Sequence, residues 1–223
     1  MVDEPPAAIV SKVAKWTEVV RKADLINPTF IVHFTVRQLE LHARIPDVLG
    51  VDPYPISRIS LDHVSVLTSL GTKYAAPRPV WLIAQAFRFA RPTSEGDWPW
   101  KRFPHPEEER IMVYKGIGKG VKGVLYYTYH SVIDYEKDPV EGLNSHNPDC
   151  LQLRRGIARM SAELHAVGEY LALSDNITHL WNMWITIPTN WIDVGFSLRE
   201  ITLNTKTNIG VILRINVTVI AGR

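Results

Sequence analysis

Carboxylate side chains stand beside predicted strands at two places in the chain. Asp3 and Glu4 precede Pro5, and Asp52 follows the apolar run at residues 47–51. Glycosidic cleavage needs one carboxylic acid to protonate the leaving oxygen and a second carboxylate as nucleophile or as base for water. Glu4 and Asp52 are therefore candidate catalytic residues, an inverting pair if their strands lie far enough apart to admit a water. The alternative is that Glu4 is a solvated terminal residue and that Asp52 caps a proline-rich turn.

Aromatic residues follow two later predicted strands. Trp98 and Trp100 lie in a long polar loop, and Tyr127 and Tyr129 alternate along a strand, which places them on one face. Aromatic rings stack on the flat C–H faces of sugars, so these four residues are candidate carbohydrate-binding residues. Simple loop packing is the alternative for the two tryptophans.

Three polar residues near strand ends complete the predicted binding set: Asp3, Tyr54 and Gln85. The Gln85 amide would bond to a sugar hydroxyl, or it would be a buried amide satisfied by the backbone. Gly116, Gly118 and Gly120 follow a predicted helix rather than open one, which favours helix capping over a phosphate loop.

Apolar periodicity predicts alternating helices and strands before residue 174 and mostly strands afterwards. Four strands are visible at 29–36, 47–51, 79–87 and 123–130, and the helical segments are 7–23, 37–43, 58–74, 106–119 and 149–172. Nearly continuous apolar strands joined by crossover helices are typical of a parallel sheet buried on both faces. The prediction is an α/β domain over residues 1–174. From 209 to 219 every odd position is apolar, so residues 177–223 are predicted to form a small antiparallel β segment.

The order of these motifs resembles the C-terminal half of a (β/α)8-barrel glycoside hydrolase of the clan-A type, related to β-galactosidases and mannanases. Residues 3–5 resemble the acidic motif that ends barrel strand four, and residues 47–55 resemble the strand-six motif. Residues 79–87 resemble strand seven, and residues 106–129 resemble helix seven and strand eight. The resemblance implies a partial barrel containing strands four to eight, with Glu4 as general acid, and makes residues 177–223 the start of a β-sandwich.

Two departures from the family pattern matter for function. Where the family places its nucleophilic glutamate, at the end of strand seven, this chain has Gln85, and an amide has no ionised oxygen with which to attack a sugar. A non-catalytic carbohydrate-binding remnant is therefore the alternative to an enzyme. Strands one to three are missing from the pattern, so two sheet edges would stay open, and homodimerisation would cover them.

Composition excludes several other classes of function. The 223 residues carry a formal net charge of +2, so bulk charge predicts neither a nucleic-acid partner nor a membrane partner. No apolar run approaches the roughly 18 residues of a membrane-spanning helix, and no signal peptide is visible, so cytoplasmic location is the default expectation. A single cysteine excludes an internal disulfide, and the histidines lack metal-ligand spacing. We expect neither a metal nor a cofactor.

Overall fold

A five-stranded parallel sheet organises the computed structural model, which describes residues 2–90, 101–131 and 139–173. Its strands are β1 (Val2–Asp3), β2 (Phe30–His33), β3 (Val48–Val51), β4 (Val80–Gln85) and β6 (Gly123–Tyr127). They lie side by side in that order, and every neighbouring pair is parallel. The predicted α/β fold is confirmed, and β1 adds a fifth strand to the four that the apolar pattern predicted.

In the described residues, four helices connect successive strands of the sheet and a fifth follows the last strand. They are α1 (Val10–Ala23), which follows a short 3-10 turn at Ala7–Ile9, α2 (Val36–His42), α3 (Asp62–Ala75), α4 (Pro106–Ile117) and α5 (Pro148–Leu173). Pro106 and three glutamates open α4, which suits the positive end of the helix dipole. Among the described residues, no helix is both long enough and apolar enough to cross a membrane.

Close packing shows which face of the sheet carries helices. Gly71 of α3 lies so close to β3 that a Cβ there would come within 2.8 Å of Val51, on the face that also carries Leu49 and Val80. Gly116 of α4 packs in the same way against Leu82. Side chains alternate along a strand, so the residues between these positions point to the opposite, inner face.

On the inner face, side chains of the neighbouring strands converge on β3. A Cβ on Gly50 would lie within 3.0 Å of Phe30, Val32 and Ile83, which reach it from β2 and β4. Only a residue without a side chain leaves room for this convergence. Sequential parallel strands with helices packed on one face are compatible with a partial TIM-like barrel.

Two segments that the sequence assigned to loops pair with each other. Strand β5 (Arg88–Phe89) and strand β7 (Val140–Glu141) form a two-stranded antiparallel sheet. The Arg88 guanidinium forms a 2.5 Å ion pair with Glu141, and the Phe87 ring packs on Phe89 at 4.6 Å between centroids. The segment predicted at 177–223 lies outside the described residues.

Candidate functional site at the carboxyl end of the sheet

Backbone register brings the ends of β1, β2 and β3 together. The Glu4 amide donates to the Val32 carbonyl at 3.1 Å, and the Asp52 amide donates to the His33 carbonyl at 3.4 Å. Strand β2 therefore holds Glu4 on one flank and Asp52 on the other. Although 48 positions separate them in the chain, their carboxyl groups interact, and each changes the pKa of the other.

The two carboxyl groups differ in exposure. Asp52 is only 3% exposed, and its Oδ1 atom has no hydrogen-bond partner, whereas Glu4 reaches solvent. Burial, followed by the charges of Glu4 and Asp3, raises the pKa of Asp52 to about 8. Partial desolvation and then the Asp3 charge raise the pKa of Glu4, while the hydrogen bond from Asp52 opposes that rise. The site thus has an accessible carboxyl group supported by a buried one.

The inverting pair of Glu4 and Asp52 stays a prediction. Inverting carboxyl groups stand roughly 6.5–9.5 Å apart so that a water fits between them, and retaining pairs stand about 5–5.5 Å apart. Burial and the charges of Glu4 and Asp3 favour the protonated form of Asp52, whereas a second catalytic carboxylate would have to be ionised.

Aromatic rings continue the site along the carboxyl ends of β3, β4 and β6. Tyr54 stacks on Tyr127 at 5.8 Å between centroids with 23° between the ring planes. Phe87 contacts both rings edge-on, at 5.0 Å and 5.6 Å. Tyr127 is 42% exposed, so one ring of this cluster faces solvent. Burial and the charge of the nearby Asp52 raise the pKa of the Tyr54 phenol, so the aromatic cluster lies beside the acids.

Gln85 lies beside Tyr127 in the sheet register but is held by the backbone. Its Oε1 atom accepts from the Ile56 amide at 2.8 Å, and its Nε2 atom donates to the Phe87 carbonyl at 3.3 Å. The side chain is completely buried. These bonds agree with one of the two alternatives that the sequence left open, a buried amide satisfied by the backbone. The role of Gln85 in sugar binding stays a prediction.

The remaining predicted residues are placed differently. Asp3 is exposed next to the acid pair and acts on it through its charge. The expectation that Tyr127 and Tyr129 share a strand face is wrong, because β6 ends at Tyr127; Tyr129 is 61% exposed and its ring packs on His130. Trp98 and Trp100 lie outside the described residues.

Two site features were missed in the sequence. Phe87 was assigned only to a strand. An aromatic residue so close to Gln85, the polar residue that ends β4, could have indicated its place in the site. Glu4 adopts φ of 39°, and Ser57, one residue after Ile56, adopts φ of 64°. Non-glycine residues in this region cost about 1–3 kcal/mol each and occur often at functional sites, yet no sequence pattern indicated them.

Metal binding finds no support in this part of the chain. Among residues 2–90, 101–131 and 139–173, no group of three or more histidine, cysteine, aspartate or glutamate side chains is arranged to hold an ion. The site offers acid–base chemistry beside an aromatic surface.

The described part of the molecule is thus an α/β protein with polar groups at the carboxyl end of a parallel sheet. Comparisons with protein-family models and with curated proteins find no match. Among solved structures, the chain is similar to the crystal structure of a beta-galactosidase from the psychrophilic Marinomonas ef1. The match has a TM-score of 0.56 and 12% identity, and it covers 74% of this chain but only 28% of the beta-galactosidase chain. At this identity, the likeness shows the fold alone.

Proposed function

We propose that the carboxyl end of the sheet is a carbohydrate site of the glycoside-hydrolase type, with Glu4 as its general acid. The observation that carries this proposal is the position of Glu4. Its side chain reaches solvent, and the buried carboxyl group of Asp52 lies beside it. A general acid must hold its proton closer to neutral pH than an ordinary glutamate, and the raised pKa of Glu4 has that direction.

The aromatic cluster supports sugar binding next to that acid. The exposed Tyr127 ring is backed by Tyr54 and Phe87, so a sugar face would stack on a surface that is already rigid. The similarity to a beta-galactosidase fold and the parallel order of the five strands agree with this placement. The substrate class we propose is therefore a neutral glycoside.

Kinetics with aryl glycosides test the enzymatic form of the proposal. Removing a general acid lowers turnover by roughly 100-fold or more, so E4Q should lose at least that factor in kcat/KM. Glu18 of α1 is an exposed glutamate away from the site, and E18Q is the matched control that should retain full turnover. Equal rates for E4Q and the wild type would exclude Glu4 as the acid.

A non-catalytic binding protein is the second candidate, and Gln85 favours it. Both polar atoms of its amide are bonded to backbone, so the position where the related enzymes carry their nucleophile is here a fixed structural amide. A chain that shows no turnover of any aryl glycoside but binds sugars through Tyr127 would match this candidate. In that case E4Q would leave affinity nearly unchanged and Y127A would lower it.

A second copy of this chain is our proposed partner. Strands β1 and β6 form the two edges of the described sheet, and on the inner face Leu125 and Tyr127 of β6 are 39% and 42% exposed. Pairing of edges between two copies would cover these groups. Light scattering after size-exclusion chromatography tests this, and a monomer at micromolar concentration would contradict it.

A further inference from the structure

Asp52 and Glu4 flank the end of β2, and their carboxyl groups interact. Two ionised carboxylates have only acceptor atoms, so a hydrogen bond between them requires that one carries a proton. Asp52 is 3% exposed, whereas Glu4 reaches solvent. Because water stabilises a charge better than a protein interior does, Asp52 keeps its proton to higher pH than Glu4 does.

The surroundings of Asp52 agree with a neutral acid. Its Oδ1 atom is buried with no hydrogen-bond partner, which would be costly for an ionised carboxylate with about four acceptor positions. The charged or titratable groups that act on the pair from the described elements are Asp3 beside Glu4 and the phenol of Tyr54 beside Asp52. No ion pair involves Asp52 in the described part of the chain. Of these neighbours, Asp3 disfavours a second negative charge on the pair.

We propose that Asp52 is a positioning residue, a carboxylic acid kept neutral near pH 7 so that it donates a hydrogen bond to Glu4. This inference rests on the proposed site and assigns a role inside it. The donated bond holds the Glu4 side chain in one orientation. It also stabilises the Glu4 carboxylate that remains after a proton has been given to a leaving oxygen.

The direction of each electrostatic effect is consistent with this role. The hydrogen bond lowers the pKa of Glu4, while burial and Asp3 raise it, so the donor limits a shift that would otherwise make Glu4 too weak an acid. An ionised Asp52 would have the opposite effect, because its charge would raise the pKa of Glu4 further. The two possibilities therefore predict opposite responses to substitution of Asp52.

The test is a carbon-13 NMR titration of the Glu4 carboxyl carbon in the wild-type chain, D52N and D52A, with E4Q to assign the signal. Asparagine is neutral and keeps an N–H donor, so the Glu4 midpoint in D52N should stay close to that of the wild type. Alanine removes the donor, so the midpoint should move to higher pH. A clear shift to lower pH in D52N would show that Asp52 is normally ionised, and would overturn the proposal.

A second measurement keeps the proposal testable if D52A does not fold. Infrared difference spectra of the wild type against D52N should show a protonated-carboxyl band near pH 7 that disappears in D52N. Absence of such a band in the folded wild type would contradict the neutral acid. Neither measurement needs a sugar. A failure to bind any carbohydrate would therefore contradict the proposed function but would not change the result on Asp52.

Discussion

Two aspartates stand at opposite ends of strand β3 and have opposite surroundings. Asp47, just before the strand, accepts hydrogen bonds from Arg21 at 2.6 Å and 3.0 Å and from the Thr29 hydroxyl at 2.6 Å. These partners lower its pKa, with the Arg21 hydrogen bond as the main cause. Asp52, just after the strand, is buried against other carboxyl groups, and its pKa is raised to about 8.

The difference agrees with the proposal that the amino end of the sheet is structural and that the carboxyl end carries the site. At the amino end, charge is paired and every Asp47 contact links α1, β2 and β3 into one unit. At the carboxyl end, a buried oxygen is unpaired and Glu4 has a strained backbone, which are costs that a purely structural design would remove. Proteins usually retain such costs where a site requires them.

The largest expected effect is on the pH dependence of stability. Asp52 has its pKa raised in the folded chain, so the folded state keeps a proton that the unfolded chain loses above about pH 4. Its contribution to stability is complete below that pH and is lost as pH rises toward 8. Between pH 5 and pH 8, the wild type should therefore lose stability relative to D52N. The loss in unfolding free energy should be on the order of 3 kcal/mol.

Urea denaturation at a series of pH values measures this difference. Subtracting the D52N curve removes the contributions of other groups, including the buried Glu109, whose pKa is also raised by burial. A difference that does not vary with pH would contradict the account of Asp52.

The next effect compares the two aspartates directly. D47N removes the charge that accepts from Arg21 and Thr29, and should cost about 2 kcal/mol at pH 6. D52N replaces a neutral acid by a neutral amide of similar shape and should cost less than about 1 kcal/mol at the same pH. Urea midpoints for the two variants measure the contrast. Equal losses would mean that the two ends of β3 are equally structural.

The smallest effect concerns one hydroxyl at each end of β3. T29V removes a bond to the ionised Asp47 and should cost about 1 kcal/mol, whereas Y54F removes a hydroxyl that lies beside neutral Asp52 and should cost about 0.5 kcal/mol. Thermal or urea unfolding at pH 6 distinguishes them. A greater loss in Y54F than in T29V would indicate that Asp52 carries a charge.

Much of the sheet was predictable because each buried strand is a nearly continuous apolar run. Strand β4 was expected at 79–87 and is found at Val80–Gln85, and α5 was expected at 149–172 and is found at Pro148–Leu173. Strand β1 was not visible as a strand, because two residues carry no periodicity. Its existence depends on pairing with β2, which is a tertiary property.

The site was predictable as a set of residue types but not as a set of contacts. Carboxylates and tyrosines after strands indicated where chemistry would lie, since parallel strands end at one edge. The interaction between Glu4 and Asp52 depends on register across β2 and on the unusual φ of Glu4, neither of which a sequence shows. Gln85 is fixed by the amide of Ile56, a loop residue 29 positions away, so its backbone bonds were equally hidden.

Titration of a panel of monosaccharides and short oligosaccharides into the wild type, Y127A and Y74A tests the central claim most directly. Tyr74 lies near the end of α3, just before the chain enters β4, so it marks the opposite end of the sheet. If the carboxyl end is a sugar site, at least one sugar should bind the wild type and Y74A equally, and should bind Y127A about tenfold more weakly. Equal affinity for Y127A and the wild type, or no binding of any sugar, would contradict the claim.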